Sequence, residues 1–113
     1  MTSIKLPLPS RNLSPNARVH WSMLAAAKKA ARRHAAVETW DQVGGMKIKS
    51  YRLDFYWGSN RRRDKDNASA SCKAYLDGVA DALMQDDSEW DFNGVRFEID
   101  KGNPRLEIVF EQK

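Results

Sequence analysis

From Ser22 to about Trp40 the chain runs nineteen residues without a glycine or a proline, and seven of them are alanine. Alanine is the best helix former, so this stretch predicts one long helix with Ser22 as its N-cap. Gly44-Gly45 breaks it. The chain then changes period. Tyr51, Leu53, Phe55 and Trp57 alternate with Arg52, Asp54 and Tyr56, which predicts a strand with one buried face. A long helix followed by a period of two restricts the chain to architectures in which helices cover a sheet.

The other segments complete that picture. "IKLPLP" from Ile4 to Pro9 alternates but carries prolines, so it reads as an edge strand entering the irregular loop "SRNLSPNARVHW". A second helix is predicted from about Asn67 to Met84, capped by Asp66 or Asn67. Its core stripe is Cys72, Leu76, Val79 and Leu83, and Gly78 is the candidate break point. Val95, Phe97 and Ile99 alternate next. After "KGNP" come Leu106, Ile108 and Phe110, so the two strands read as a hairpin with a four-residue loop. The order β-α-β-α-β-β predicts a single α+β domain over residues 1–113: a small mixed sheet, two main helices packed on it and a closing hairpin.

Composition excludes several classes. Hydrophobic residues at 42% and charged residues at 30% are ordinary for a globular domain and argue against disorder. No apolar run approaches the roughly 20 residues of a membrane span, so no membrane partner is expected. The first ten residues lack the basic-then-apolar layout of a signal peptide. Cys72 is the single cysteine, so no intrachain disulfide forms and a reducing cytoplasm is the expected compartment.

The net charge of +4 hides an asymmetry. Residues 1–65 hold fourteen Lys and Arg against four acids, while residues 66–113 hold five against eleven. No basic residue lies between Lys73 and Arg96, a stretch with six acids. A basic half suggests a polyanion partner. An acidic patch facing that partner would repel it unless cations lay between, and one facing away would be indifferent.

The densest chemistry lies in "RRRDKDNASASCK", residues 61–73. Asp64 and Asp66 stand two apart where an extended segment meets a helix. If the segment is still extended there, both carboxylates point the same way and can share a hard divalent cation. The helix N-terminus would add N–H donors for a phosphate oxygen. On spacing alone a second reading is more economical: Asp66 caps the helix and Asp64 pairs with Arg61, Arg62 or Arg63. Asp86-Asp87 follows the second helix and is a third-ligand candidate only if it reaches the first pair. About seventeen helical residues would hold it roughly 25 Å away, unless the helix breaks early or a neighbouring subunit supplies it. Lys73 either offsets phosphate charge or pairs with Asp77 at i+4. On the first helix, Lys28, Lys29, Arg32 and Arg33 form two i,i+4 rows that could track a phosphate backbone or could simply be solvated.

Taken together, "RRRDKDN", the lysine on the next helix, "KAYLDG" and "QDDSEW" resemble the RusA-type Holliday junction resolvases. The ends "LPLPSRNLSPNARVHW" and "KGNPRLEIVFE" are similar to those of the family's phage-borne members. The resemblance covers most of the chain, in order. It implies a Mg²⁺- or Mn²⁺-dependent endonuclease, homodimeric, that nicks two opposed strands of a four-way DNA junction symmetrically. By position, Asp64, Asp66 and Asp87 match the metal ligands and catalytic acids. Lys73 matches the catalytic lysine of relatives with the longer spacing; others place it where this chain has Ala70. Arg61, Arg62 and Arg63 would grip neighbouring phosphates, with Lys28, Lys29, Arg32 and Arg33 as further DNA contacts. The rival expectations are a non-catalytic DNA-binding accessory protein and a metal-dependent nuclease for other branched or flap DNA.

Overall fold

The computed structural model describes residues 2–113. Four strands, β1 (Thr2–Leu6), β2 (Ile48–Trp57), β3 (Asp91–Ile99) and β4 (Arg105–Gln112), form one mixed sheet in the order β1-β4-β2-β3. Three helices, α1 (Trp21–Gln42), α2 (Lys65–Ala70) and α3 (Lys73–Leu83), connect them. The α+β class expected from the sequence is the observed one. No helix is long and apolar enough to cross a membrane.

The sheet's period of two sorts its residues by face. Ile4, Leu6, Leu53, Phe55, Leu106, Ile108 and Phe110 are buried, and they pack with Ala31 and Ala35 of α1 and with Cys72, Leu76 and Val79 of the second helical segment. On strand positions of the other parity lie Arg52, Asp54, Arg105 and Glu107. Arg52 grips Asp54 through two bonds of 2.8 and 3.0 Å, and the Arg105 guanidinium covers the Tyr56 ring. One face of the sheet therefore carries the core and the other carries its own charge network.

The closing pair is not a paired hairpin. β3 pairs only with β2, in parallel, and β4 lies between β1 and β2, antiparallel to both. The reason is burial. Leu106, Ile108 and Phe110 are fully buried, so β4 takes a central place, while β3 keeps a half-exposed edge with Ile99 open to solvent. The turn between them must therefore cross the end of β2, about two strand spacings of 4.8 Å. Asp100 N–H donates to the Trp57 carbonyl at 2.8 Å as the turn passes. Gly58 leaves room for it, because a Cβ there would lie 3.1 Å from Pro104 Cγ.

The second helix is bent, not continuous. It begins at Lys65, breaks at Ser71-Cys72 and resumes at Lys73. Ser71 Oγ donates to the Ala68 carbonyl at 2.6 Å and Cys72 Sγ to the same oxygen at 3.6 Å. Such back-bonding competes with the backbone ladder and bends helices. Gly78, the expected break point, instead marks the closest approach of α3 to α1. A Cβ on Gly78 would meet the Arg32 carbonyl oxygen at 2.1 Å. α1 is capped by His20, whose Nδ1 accepts from Ser22 N–H at 3.2 Å, rather than by Ser22 itself.

Candidate functional site

The crossover from β2 to α2 presents the charged segment. β2 ends at Trp57, residues 58–64 turn outward, and Asp64 starts α2. Asp64 is the cap: its Oδ1 accepts the Asn67 N–H at 3.0 Å. The extended geometry that would aim Asp64 and Asp66 together does not occur, because the helix already begins at Lys65. Residues two apart on a helix do not face each other. Asp66 sits in the first turn, exposed, with no hydrogen-bond or ion-pair partner among the described residues. Both acids nonetheless border one shallow depression of about 500 Å³, together with Arg62, Arg63 and Lys65. The helix N-terminus expected to receive a phosphate is a six-residue helix whose Asn67 N–H is already taken.

Arg63 is positioned with unusual care. Its guanidinium lies 4.1 Å over the Trp57 ring. It donates to the Ser59 and Arg61 carbonyls at 2.9 Å each and to Ser59 Oγ at 3.0 Å. Burial and the neighbouring Arg61 lower its pKa, since no carboxylate offsets its charge. Trp57 in turn stacks on Phe55, with ring planes 7° apart. The sequence reading took Trp57 as one more alternating core residue, and only its adjacency to the arginines could have suggested more. Arg61, Arg62 and Arg63 have no acidic partner among the described residues.

Lys73 makes the expected i,i+4 pair with Asp77 and also an ion pair with Asp87. Lys73 Nζ lies 2.7 Å from Asp87 and 3.0 Å from Asp77. Hydrogen bonds to Asp87 and then to Asp77 raise its pKa, so it is a cation at neutral pH and not a proton acceptor. The left-handed Met84 that ends α3 turns the chain back, so that Asp87 lies beside Lys73 at the start of that helix. This does not complete a metal site. Among the described residues, no three His, Cys, Asp or Glu side chains could hold one ion. The donor set within one chain is thus Asp64 Oδ2 and the Asp66 carboxylate. Carboxylates of this kind, with water and phosphate completing the shell, suit Mg²⁺ chemically, but the helix start at Lys65 does not aim these two at one point.

The basic face of α1 divides. Arg32 holds Asp81 of α3 through bonds of 2.5 and 2.8 Å, which makes it a structural clamp. Lys28, Lys29 and Arg33 are exposed and have no ion-pair partner among the described residues.

A cleft of about 720 Å³ runs beside Asp64, and no local pattern in the chain signals it. One wall is the loop after β1, with Arg11, Asn12 and Asn16; the other is Arg61, Arg63, Asp64 and Asn67, with Trp57 at the end of β2.

No protein-family model matches the chain. An uncharacterized protein of Xylella fastidiosa is 43% identical in an alignment of 95 positions, and the match covers 77% of this chain. The chain spans 61% of that relative's length.

Proposed function

We propose that the chain is a divalent-metal-dependent endodeoxyribonuclease of the RusA type that resolves four-way DNA junctions as a homodimer by paired symmetric nicks. The observation that carries this reading is the conjunction of Asp64 and Asp66 on one depression with Arg62 and Arg63, which no carboxylate neutralises among the described residues. Charges left without partners by the fold are available to a substrate, and this pairing of hard oxygen donors with cations suits a phosphodiester.

Asp64 and Asp66 would hold Mg²⁺ or Mn²⁺, which when bound supplies an activated water and stabilises the leaving oxygen. Arg61 and Arg62 hold the flanking phosphates, and Arg63, braced against Trp57, fixes their position. Lys73, matched in the free chain by Asp77 and Asp87, would offset developing negative charge once Asp87 leaves it to serve the partner subunit's site. Asp87 enters as a third carboxylate from the partner subunit, at the site its own chain does not complete. Two such sites related by a two-fold axis would cut opposed strands of a symmetric junction. Phosphate contacts carry no sequence information, so the choice of substrate rests on shape.

A second reading has its own support. A non-catalytic DNA-binding accessory protein needs only the unpaired cations, and the lack of a three-acid group within one chain favours it. Incubating the pure protein with a synthetic four-way junction, a matched duplex and single strands separates the two. Symmetric nicking of the junction alone, with Mg²⁺ and not with EDTA, supports the nuclease. Binding without cutting supports the accessory role. Equal cutting of linear duplex would point to another nuclease.

A further inference from the structure

We propose that the cleft between the Pro9–Ala17 loop and the Arg61–Asn67 segment seats the sugar-phosphate backbone of one DNA strand as it leaves the Asp64 site, with Arg11, Asn12 and Asn16 as its second wall. This deepens the nuclease reading and rests on it for the identity of the polyanion. Four observations meet here.

The first is charge. Arg11, Arg61 and Arg63 line the cleft against a single carboxylate, Asp64. Arg32, Arg52 and Arg105 each hold at least one acid within 2.8 Å, whereas the cleft arginines, like Arg18, Arg33, Arg62 and Arg96 on the open surface, are left unpaired among the described residues.

The second is unsatisfied donors. Among the described residues, two buried side-chain polar atoms lack a partner, Trp57 Nε1 and Arg63 Nε. Both residues line this cleft and they are stacked on one another. Buried donors are seldom left unmade, and each exception calls for a cause. An anionic oxygen drawn against the pair would supply the acceptor.

The third is the rigidity of the facing loop. Ser10 Oγ accepts from Asn12 N–H at 3.2 Å, and Ser14 Oγ accepts from Asn16 N–H at 3.3 Å. Tyr75 donates to the Pro7 carbonyl at 2.9 Å and pins the loop's entry. A wall already ordered in the free protein costs less to organise on binding.

The fourth decides which part of a nucleotide is held. Phe55 stacks on Trp57 and Arg63 covers it, so the indole offers no platform to a base. Besides the Asp64 carboxylate, the polar groups of the lining are amides, serine hydroxyls and guanidinium groups, donors that suit phosphate and sugar oxygens. The volume, about 720 Å³, is within the common range for a ligand site.

The test is fluorescence anisotropy of the full chain with a labelled four-way junction and a labelled 15-nucleotide single strand, in EDTA, across a salt series. Arg11→Glu and Arg61→Glu place the same charge change on the two walls. Arg18→Glu places it on the same loop region but outside the cleft, as the control. Arg11→Glu and Arg61→Glu should each weaken binding roughly tenfold and lower the salt slope by about one, with Arg18→Glu within about threefold of wild type. Equal losses in Arg11→Glu and Arg18→Glu would reduce the effect to general charge and overturn the cleft assignment. Wild-type protein that binds neither DNA overturns the cleft assignment as well. Cleft-dependent binding by a protein that cuts no junction leaves the cleft standing and removes the nuclease reading.

Discussion

Along the contact between α1 and α3, charges are matched: Arg32 holds Asp81, and Lys73 sits between Asp77 and Asp87. Along the rim from Arg61 to Asp66, the arginines and Asp66 have no ion-pair partner among the described residues. The first region brings two helices so close that Gly78 has no room for a methyl group. The second is exposed apart from Arg63 and its tryptophan. The sequence presents both as dense charge. The difference teaches that charge density does not identify a site; what matters is whether the fold has already consumed the charge.

The comparison breaks most readily at Gly78. Gly78→Ala forces the helices apart and should destabilise the protein by about 2–3 kcal/mol, a loss of roughly 10–15 °C in Tm. A thermal midpoint within about 2 °C of wild type would mean that the helices are not held at this distance. No rim substitution should approach that size.

Asp64 sharpens the comparison because it belongs to both classes. Asp64→Ala removes the α2 cap and should cost about 1 kcal/mol, while Asp64→Asn keeps an accepting oxygen and should cost much less. Both should lose metal-dependent cleavage. Chemical denaturation of the pair measures the first effect and junction cleavage the second. Equal stability in the two variants would remove the cap from the account.

The smallest effect is in acid. The hydrogen bond from Arg32 holds the Asp81 carboxyl below its usual range, and bonds from Ser88 and Arg105 do the same for Asp86 and Asp100. A carboxyl depressed in the folded state contributes stability above its unfolded pKa, near 3.9, and loses it as pH falls through the depressed value. Stability should therefore decline below about pH 4. In Arg32→Ala that decline should be shallower, since Asp81 no longer contributes. Identical acid limbs in the two proteins would contradict the matched-charge description of α1 and α3.

Much of this was legible in the sequence, for stated reasons. The alanine run gave α1 within a residue or two, and the alternation at Tyr51–Trp57 and Leu106–Phe110 gave the two central strands, since local periodicity reports burial directly. Strand order was not legible. A loop as short as "KGNP" suits a hairpin, and only the relative burial of β3 and β4 shows that β2 lies between them. The helix break was hidden as well, because it depends on where Ser71 and Cys72 direct their side-chain donors and not on a glycine. At the site, spacing pointed to Asp66 or Asn67 as the helix cap, whereas Asp64 caps α2; the Lys73–Asp77 pair was readable at i+4, and the Lys73–Asp87 contact was not. Arg32 was misread as a surface cation because its partner lies 49 residues away. The cleft wall at Arg11–Asn16 joins segments remote in sequence and left no local pattern.

Asp66 and Asp81 are both exposed aspartates on the helical layer, one without a partner and one clamped by Arg32. Measuring junction cleavage and unfolding midpoint for Asp66→Asn and Asp81→Asn in parallel tests the division between rim and helix contact most directly. Asp66→Asn should lose cleavage by about a hundredfold or more, keep its midpoint, and bind the junction at least as tightly as wild type. Asp81→Asn should lower the midpoint and cut at close to the wild-type rate. An Asp66→Asn protein that cleaves like wild type, or that fails to fold, would contradict the account.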